Sequence, residues 1–283
     1  MNFHQEPITF VAHVHLKVGQ LERSLSFYKE ILGFQVLRQT GQTAHLSADG
    51  QKTLVTLEQI EGAVPKTYPT TGLYHFAILL PTRADLANVV NHLLQKGVRF
   101  GSSDHLVSEA LYLSDPDGNG IEIYSDRNDT EWNWQDGQVE MTVDPLDFSD
   151  LLAEAGDKQW TKLPSQTVMG HIHLHVAHLG EAEHFYREGL GFDVVCRFGD
   201  QALFMSSGGY HHHIGLNTWA GVGAPPLKEK NAGLKKFSIQ FPSEAARNKV
   251  VEQLQKIEAF ISKEGQVYLT KDPSGIFIEL RVK

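Results

Sequence analysis

Histidines two residues apart recur along this chain of 283 residues: His13 and His15 near the start, His171, His173 and His175 in the second half, and an unbroken run of His211, His212 and His213. His4, His45, His75, His92, His105, His178 and His184 bring the total to 15, against one cysteine, Cys196. Imidazole is the commonest metal ligand and the usual acid–base group near neutral pH. A spacing of two on a strand puts the rings on one face. A single cysteine excludes a disulfide framework within the chain and any cysteine-built zinc or iron–sulfur site. The chemistry these residue types allow is therefore metal binding by imidazole and carboxylate, or imidazole proton transfer.

The elements that must position these histidines form a repeat. His13-Val-His-Leu-Lys-Val, then Leu21 to Tyr28, then Leu32-Gly-Phe34 returns as His171-Ile-His-Leu-His-Val, then Leu179 to Tyr186, then Leu190-Gly-Phe192. A second motif pairs Gly72–Pro81 with Gly233–Pro242, and Asp115-Pro-Asp-Gly-Asn-Gly-Ile-Glu122 with Asp272-Pro-Ser-Gly-Ile-Phe-Ile-Glu279. Alternation and helical periodicity predict one βαβββ unit at each of four places. In the first, strands are expected at Val14–Val18, Phe34–Gln39, Ala44–Ser47 and Thr53–Leu57, with a helix over Leu21–Leu32 ended by Gly33. In the second, strands at Leu73–Leu80, Ala110–Leu113 and Gly120–Tyr124 accompany a helix near Arg83–Gln95. The fold class is α+β: four units paired into two cupped, mostly antiparallel eight-stranded sheets. The expected organisation is one two-unit domain over 1–128, a connecting segment over 129–164 with a short helix near Leu146–Ala155, and a second two-unit domain over 165–283.

At 41% hydrophobic the chain buries a real core, and its net charge of −9 argues against nucleic acid or an anionic membrane surface as partner. The first ten residues lack a basic start followed by an apolar run, and no stretch approaches the ~18 apolar residues of a membrane span, so the expected location is the cytoplasm.

The fourfold pattern, with helices ending in Phe-Tyr and then Leu-Gly-Phe, resembles the vicinal oxygen chelate superfamily of glyoxalases, bleomycin and fosfomycin resistance proteins and extradiol dioxygenases. The resemblance covers the chain except 129–164. His105, Tyr112, Asp115-Pro, Gly118 and Glu122 follow the extradiol dioxygenase signature, departing from it at Ser103, and the chain as a whole looks most like bacterial catechol 2,3-dioxygenases. That resemblance implies an Fe(II) enzyme (Mn(II) being the other candidate) that opens a catechol ring with O₂, acting as a homo-oligomer. It implies Glu122 and His75 as metal ligands, and a third histidine that is His171 or His13. Two imidazoles and a carboxylate form a facial triad that leaves three positions for a bidentate catecholate and O₂.

Catechol dioxygenases of this type usually place the metal between units three and four. Here the ligand position of unit four is Lys236, which has no lone pair to offer when protonated. Unit two is therefore expected to pair with unit three, making His171 the favoured third ligand and Glu279 a relic. The resemblance also implies His213 as the acid–base residue with His212 as fallback, Tyr112 as hydrogen-bond partner of the bound phenolate, and His105 as the group orienting the substrate hydroxyl. His45, His92, His178 and His184 read as structural, and His173 and His175 as supports. Two other functions fit the same fold: a metal-dependent glyoxalase or thiol transferase, and a metal-free protein that sequesters a flat aromatic drug.

Overall fold

The computed structural model describes residues 2–66, 68–156 and 160–282. Four βαβββ units follow one another. The first has β1 (Phe10–Val18), α1 (Leu21–Ser26), β2 (Gln35–Gln39), β3 (Thr43–Ser47) and β4 (Val55–Gln59). The second has β5 (Gly72–Leu79), α2 (Arg83–Gln95), β6 (Gly101–Asp104), β7 (Ser108–Ser114) and β8 (Gly120–Asp126). Within the connection lie a two-residue hairpin, β9 (Trp134–Gln135) and β10 (Gln138–Val139), and the helix α3 (Phe148–Ala153). The third unit has β11 (Val168–His175), α4 (Leu179–His184), β12 (Asp193–Phe198), β13 (Ala202–Ser206) and β14 (Ile214–Asn217). The fourth has β15 (Gly233–Gln240), α5 (Glu244–Lys256), β16 (Ile261–Glu264), β17 (Val267–Lys271) and β18 (Phe277–Arg281). The unit pattern requires a strand at β6, but the sequence does not mark its residues, and nothing in it marks the hairpin; both are too short to show a period.

Two eight-stranded sheets result, in the orders β16-β17-β18-β15-β1-β4-β3-β2 and β12-β13-β14-β11-β5-β8-β7-β6. Each is mostly antiparallel, with parallel pairing only of β1 with β4 and β15 with β18 in one, and of β5 with β8 and β11 with β14 in the other. Units two and three share a sheet, as Lys236 suggested, and units one and four share the other. The halves 1–128 and 165–283 thus each contribute one unit to each sheet. The seams are antiparallel, β1 against β15 and β5 against β11. The edge strands β2 and β16 end in exposed polar residues, Arg38 and Gln39 in one and Lys263 and Glu264 in the other, which discourages further strand addition.

Alternation divides β11 between two environments. Ile172 and Leu174 join the apolar core with Leu86, Val90 and Leu93 of α2 and Leu254 of α5. His171, His173 and His175 face the other way, into the cup. Both long helices are capped by a hydroxyl, since Thr82 accepts from the Asp85 amide and Ser243 from the Ala246 amide. After α1 and α4 the backbone widens into a single π-helical turn, Phe27–Ile31 and Phe185–Gly189. Each turn carries the repeated Phe-Tyr. Tyr28 donates to Asp115 Oδ2 and Tyr186 to Asp272 Oδ2, both at 3.1 Å. The two tyrosines are wholly buried and pin each helix to the turn ahead of the last strand in the neighbouring unit. Burial pushes the Asp272 carboxyl up to about 6. Tyr28→Phe or Tyr186→Phe leaves a buried carboxylate without one of its donors. Each is expected to lower stability by about 1–3 kcal/mol in urea unfolding, with an unchanged fold by circular dichroism.

Candidate metal centre

The register of the second sheet brings three ligands to one place. His171 of β11 lies opposite Ala77 of β5, and Ala77 opposite Glu122 of β8. The small alanine lets Glu122 reach across one strand to His171, whose Nε2 is 3.1 Å from Glu122 Oε2. His75 comes from the next row of β5, with its Nε2 3.0 Å from the same oxygen. One donor atom from each of His75, Glu122 and His171 lies within 4.8 Å of the others, and all three residues are buried. Although His75 Nε2 is this close to Glu122, it makes no hydrogen bond at a bonding angle. Three donors thus crowd one point with a single bond among them, which fits lone pairs aimed at a shared divalent cation.

Two glycines permit this approach. Gly170 stands where the β5–β11 register shifts, and a Cβ there would fall 2.0 Å from Tyr124 Oη. At Gly120 a Cβ would fall 2.0 Å from the Tyr74 carbonyl oxygen, forcing β8 away from the strand that carries His75.

Burial by itself would raise the Glu122 carboxyl, but the His171 and His75 imidazoles hold it well below the usual carboxylate range. Burial lowers His171 and His173. Asn217 braces the row behind: its Nδ2 donates to His173 Nε2 at 2.9 Å, and its Oδ1 accepts from His175 Nδ1 at 2.6 Å. His173 and His175 therefore lie beside the three donors without belonging to the set.

A cavity of about 410 Å³ opens over the donors. His75, Glu122, His105, Tyr112, His173 and His212 form its polar end, and Tyr74, Phe198, Phe204 and Trp219, with Met141 and Val143, its apolar walls. Trp219 lines this cavity and remains 46% exposed. A larger surface groove of about 930 Å³ runs past Gln39, His92 and Trp160, away from any metal-donor set found among the described residues.

His105 and Tyr112 act as a pair. His105 Nδ1 donates to the Thr142 carbonyl at 2.6 Å, so its Nε2 accepts from the Tyr112 hydroxyl at 2.5 Å. Burial, and then the Glu122 charge, pushes the Tyr112 phenol well above its usual range.

One expected position is corrected, and the alternative third ligand falls outside the set. His213 is not on the cavity wall. Its Nδ1 accepts from the Ser207 amide at 3.3 Å and its Nε2 donates to the Phe3 carbonyl at 3.1 Å. The turn at Gly208-Gly209 ends one strand and β14 begins only at Ile214, so strand alternation does not extend back through the histidine run. The fallback, His212, is the one that faces the cavity, with its ring centroid 4.1 Å from that of His171. His13 lies in the other sheet, where its Nε2 is 2.8 Å from Thr56 Oγ1, because unit one pairs with unit four. The sequence reading had not singled out Asp126, which binds His211 behind the cavity. Its signal was available: it follows Glu122 at a spacing of four on one strand, so both share a face.

In the other cup the same positions are closed. Lys236 Nζ is 2.6 Å and Arg281 Nη2 2.5 Å from Glu279, and Ser238, where the metal row has Ala77, donates to Glu279 Oε2 at 2.9 Å. These contacts overcome burial and draw the Glu279 carboxyl down to about 2.

Comparison with known proteins places these features in a family. A model of the Glyoxalase/Bleomycin resistance protein/Dioxygenase superfamily matches residues 10–123. A catechol-2,3-dioxygenase of Bacillus subtilis is 46% identical over 275 residues, covering 95% of this chain and 96% of that one. A biphenyl-2,3-diol 1,2-dioxygenase of Rhodococcus globerulus is 33% identical over 119 residues, 41% of this chain and 63% of its own. Among solved structures, one from Bacillus subtilis provisionally named a dioxygenase superposes with a TM-score of 0.71 at 14% identity, covering 97% of this chain and 85% of its own. Glyoxalase I from Zea mays superposes with a TM-score of 0.57 at 16% identity, covering 96% and 92%. At such identities the two structures speak for the fold alone.

His171→Ala removes one of the three converging donors, whereas His13→Ala touches the other sheet. Elemental analysis after anaerobic Fe(II) loading is expected to find metal lost from the first variant and retained by the second. Full retention by His171→Ala would break the cross-half set.

Proposed function

This chain belongs to the glyoxalase/bleomycin resistance/dioxygenase superfamily, and we propose that it is a catechol 2,3-dioxygenase-like enzyme, an extradiol dioxygenase that uses non-heme Fe(II) held by His75, Glu122 and His171. The observation that carries the reading is the convergence of two imidazoles and one carboxylate on a point open to a cavity with an aromatic wall. Glyoxalase-type chemistry favours further carboxylates in the set, and a metal-free sequestering protein has no need of buried donors aimed at each other. The names of the relatives, a catechol and a biphenyl-diol dioxygenase, support the same choice. Two nitrogens and a carboxylate oxygen suit Fe(II), and Mn(II) accepts the same donors. When bound, the metal would supply a Lewis acid that makes a coordinated hydroxyl more acidic and a site at which catecholate and O₂ meet.

The chain's own residues bind, orient and move protons. The catechol ring lies against Tyr74, Phe204 and Trp219 with its diol toward the donors. His212 takes the proton from a catechol hydroxyl. Its burial keeps the imidazole well below its usual range, and so neutral and able to accept. Tyr112, committed as donor to His105, presents its oxygen to a substrate hydroxyl, and His105 holds that phenol in place through its own bond to Thr142. Among the described residues the cavity lining contains no lysine or arginine. A ring carboxylate would be buried there without a counter-ion, so the substrate is an uncharged catechol with an apolar substituent.

The test is anaerobic Fe(II) reconstitution followed by an oxygen electrode and visible spectra. Catechol and alkylcatechols are expected to consume one O₂ each and give the yellow ring-opened product, with ring-carboxylated catechols far slower. A loaded protein that consumes no O₂ with any of them would refute the reading. His212→Gln is expected to retain iron while kcat falls about 10²–10⁴-fold. A variant as active as the parent would remove His212 from the proton path.

A further inference from the structure

We propose that Asp126 and His211 are positioning residues that fix His212 in the tautomer whose Nε2 is bare and free to take the substrate proton. The inference rests on the ring-cleavage reading for its purpose, but its geometry stands alone.

The argument runs inward from Asp126. Its carboxylate can only accept, so the His211 Nε2 at 2.8 Å from Asp126 Oδ1 carries a proton and donates it. The proposed relay has that one proton on the wholly buried His211 ring, which leaves Nδ1 bare. That atom lies 2.8 Å from His212 Nδ1, and two ring nitrogens at this distance need one proton between them. It belongs to His212 Nδ1, which donates to His211. The remaining nitrogen of His212, Nε2, is left with its lone pair, on a ring that lines the cavity beside His171.

Asp126 is itself held. Tyr210 donates to its Oδ1 at 3.2 Å, and the Tyr210 hydroxyl is 2.7 Å from that of Tyr124. Tyr124 and Asp126 follow Glu122 at alternate positions of β8, so the strand that supplies the metal carboxylate also anchors the relay. His211 is packed between Tyr210 and Trp132, with no access to solvent. When His212 Nε2 takes the hydroxyl proton, the O–H bond breaks, an N–H bond forms and the ring becomes cationic. Its Nδ1–H stays on His211, whose Nε2–H stays on Asp126, so the anionic end of the chain stabilises the new charge without moving a second proton. This is the division of labour between carboxylate and histidine in a serine-protease triad, extended by one ring.

The test uses the full chain with ¹⁵N-labelled histidine, the His212 resonances being identified by their loss in His212→Gln. In the parent protein His212 is expected to show a protonated Nδ1 and a bare Nε2. His211→Phe keeps an aromatic ring in place but offers no acceptor, and is expected to give a mixed tautomer. On the iron-loaded protein, kcat for catechol is expected to fall about 10–100-fold in His211→Phe and in Asp126→Asn, at unchanged KM and iron content. For a nitrocatechol, whose hydroxyls are far more acidic, the loss is expected to shrink to a few-fold. A merely structural defect would slow both substrates alike. Equal losses on both substrates, or a protonated His212 Nε2 in the parent, would overturn the relay. A parent protein that opens no catechol would refute the proposed function, and the tautomer measurement would still decide the relay.

Discussion

Removing the Glu122 carboxylate from water is the constraint around which the cup formed by units two and three is arranged. A buried carboxylate is tolerable only when its charge is met, and here two imidazoles from different halves of the chain meet it at about 3 Å. Everything nearby serves that approach. Ala77 keeps the row open, Gly170 lets Tyr124 pass, Gly120 lets β8 run close to β5, and Asn217 holds the next two histidines apart. The set as a whole carries one negative charge when both imidazoles are neutral, which suits a divalent cation.

The second cup shows the same constraint met in another way. Its carboxylate, Glu279, is also taken out of water, but by Lys236, Arg281 and Ser238, so no lone pair is left pointing at an empty centre. An ammonium meets this carboxylate where the first cup has His75. Three residues make most of the difference between the cups: lysine for histidine at 236, serine for alanine at 238, and arginine for tyrosine at 281.

Much of this was legible in the sequence because the architecture repeats. The four units, the helix boundaries of α2, the short helix in the connection and the fold class all follow from periodicity and from motifs seen twice. The pairing of unit two with unit three followed from the chemistry of one residue, Lys236. What was illegible lay where a period is too short or is broken. β6 and the β9–β10 hairpin are too brief to show alternation. The histidine run sits in the turn before β14, so its facing depends on backbone geometry that spacing does not encode, and the structure turns His212, not His213, to the cavity. The spacing of four puts Asp126 on the same face as Glu122, but only the fold brings His211 to it from 85 positions away.

The strand orders also nest one sheet inside the other. All eight strands of the sheet that carries His75, Glu122 and His171 lie between Gly72 and Asn217, whereas the other sheet is assembled from the two ends, with Phe10 opposite Gln240. During synthesis on a ribosome, the inner sheet has its whole complement of strands once Asn217 has emerged. The first unit meanwhile waits for a partner that arrives last, with one apolar seam uncovered. Closing so long a loop is slow, so the outer sheet sets the pace of folding and is the part most exposed to mispairing with another nascent copy.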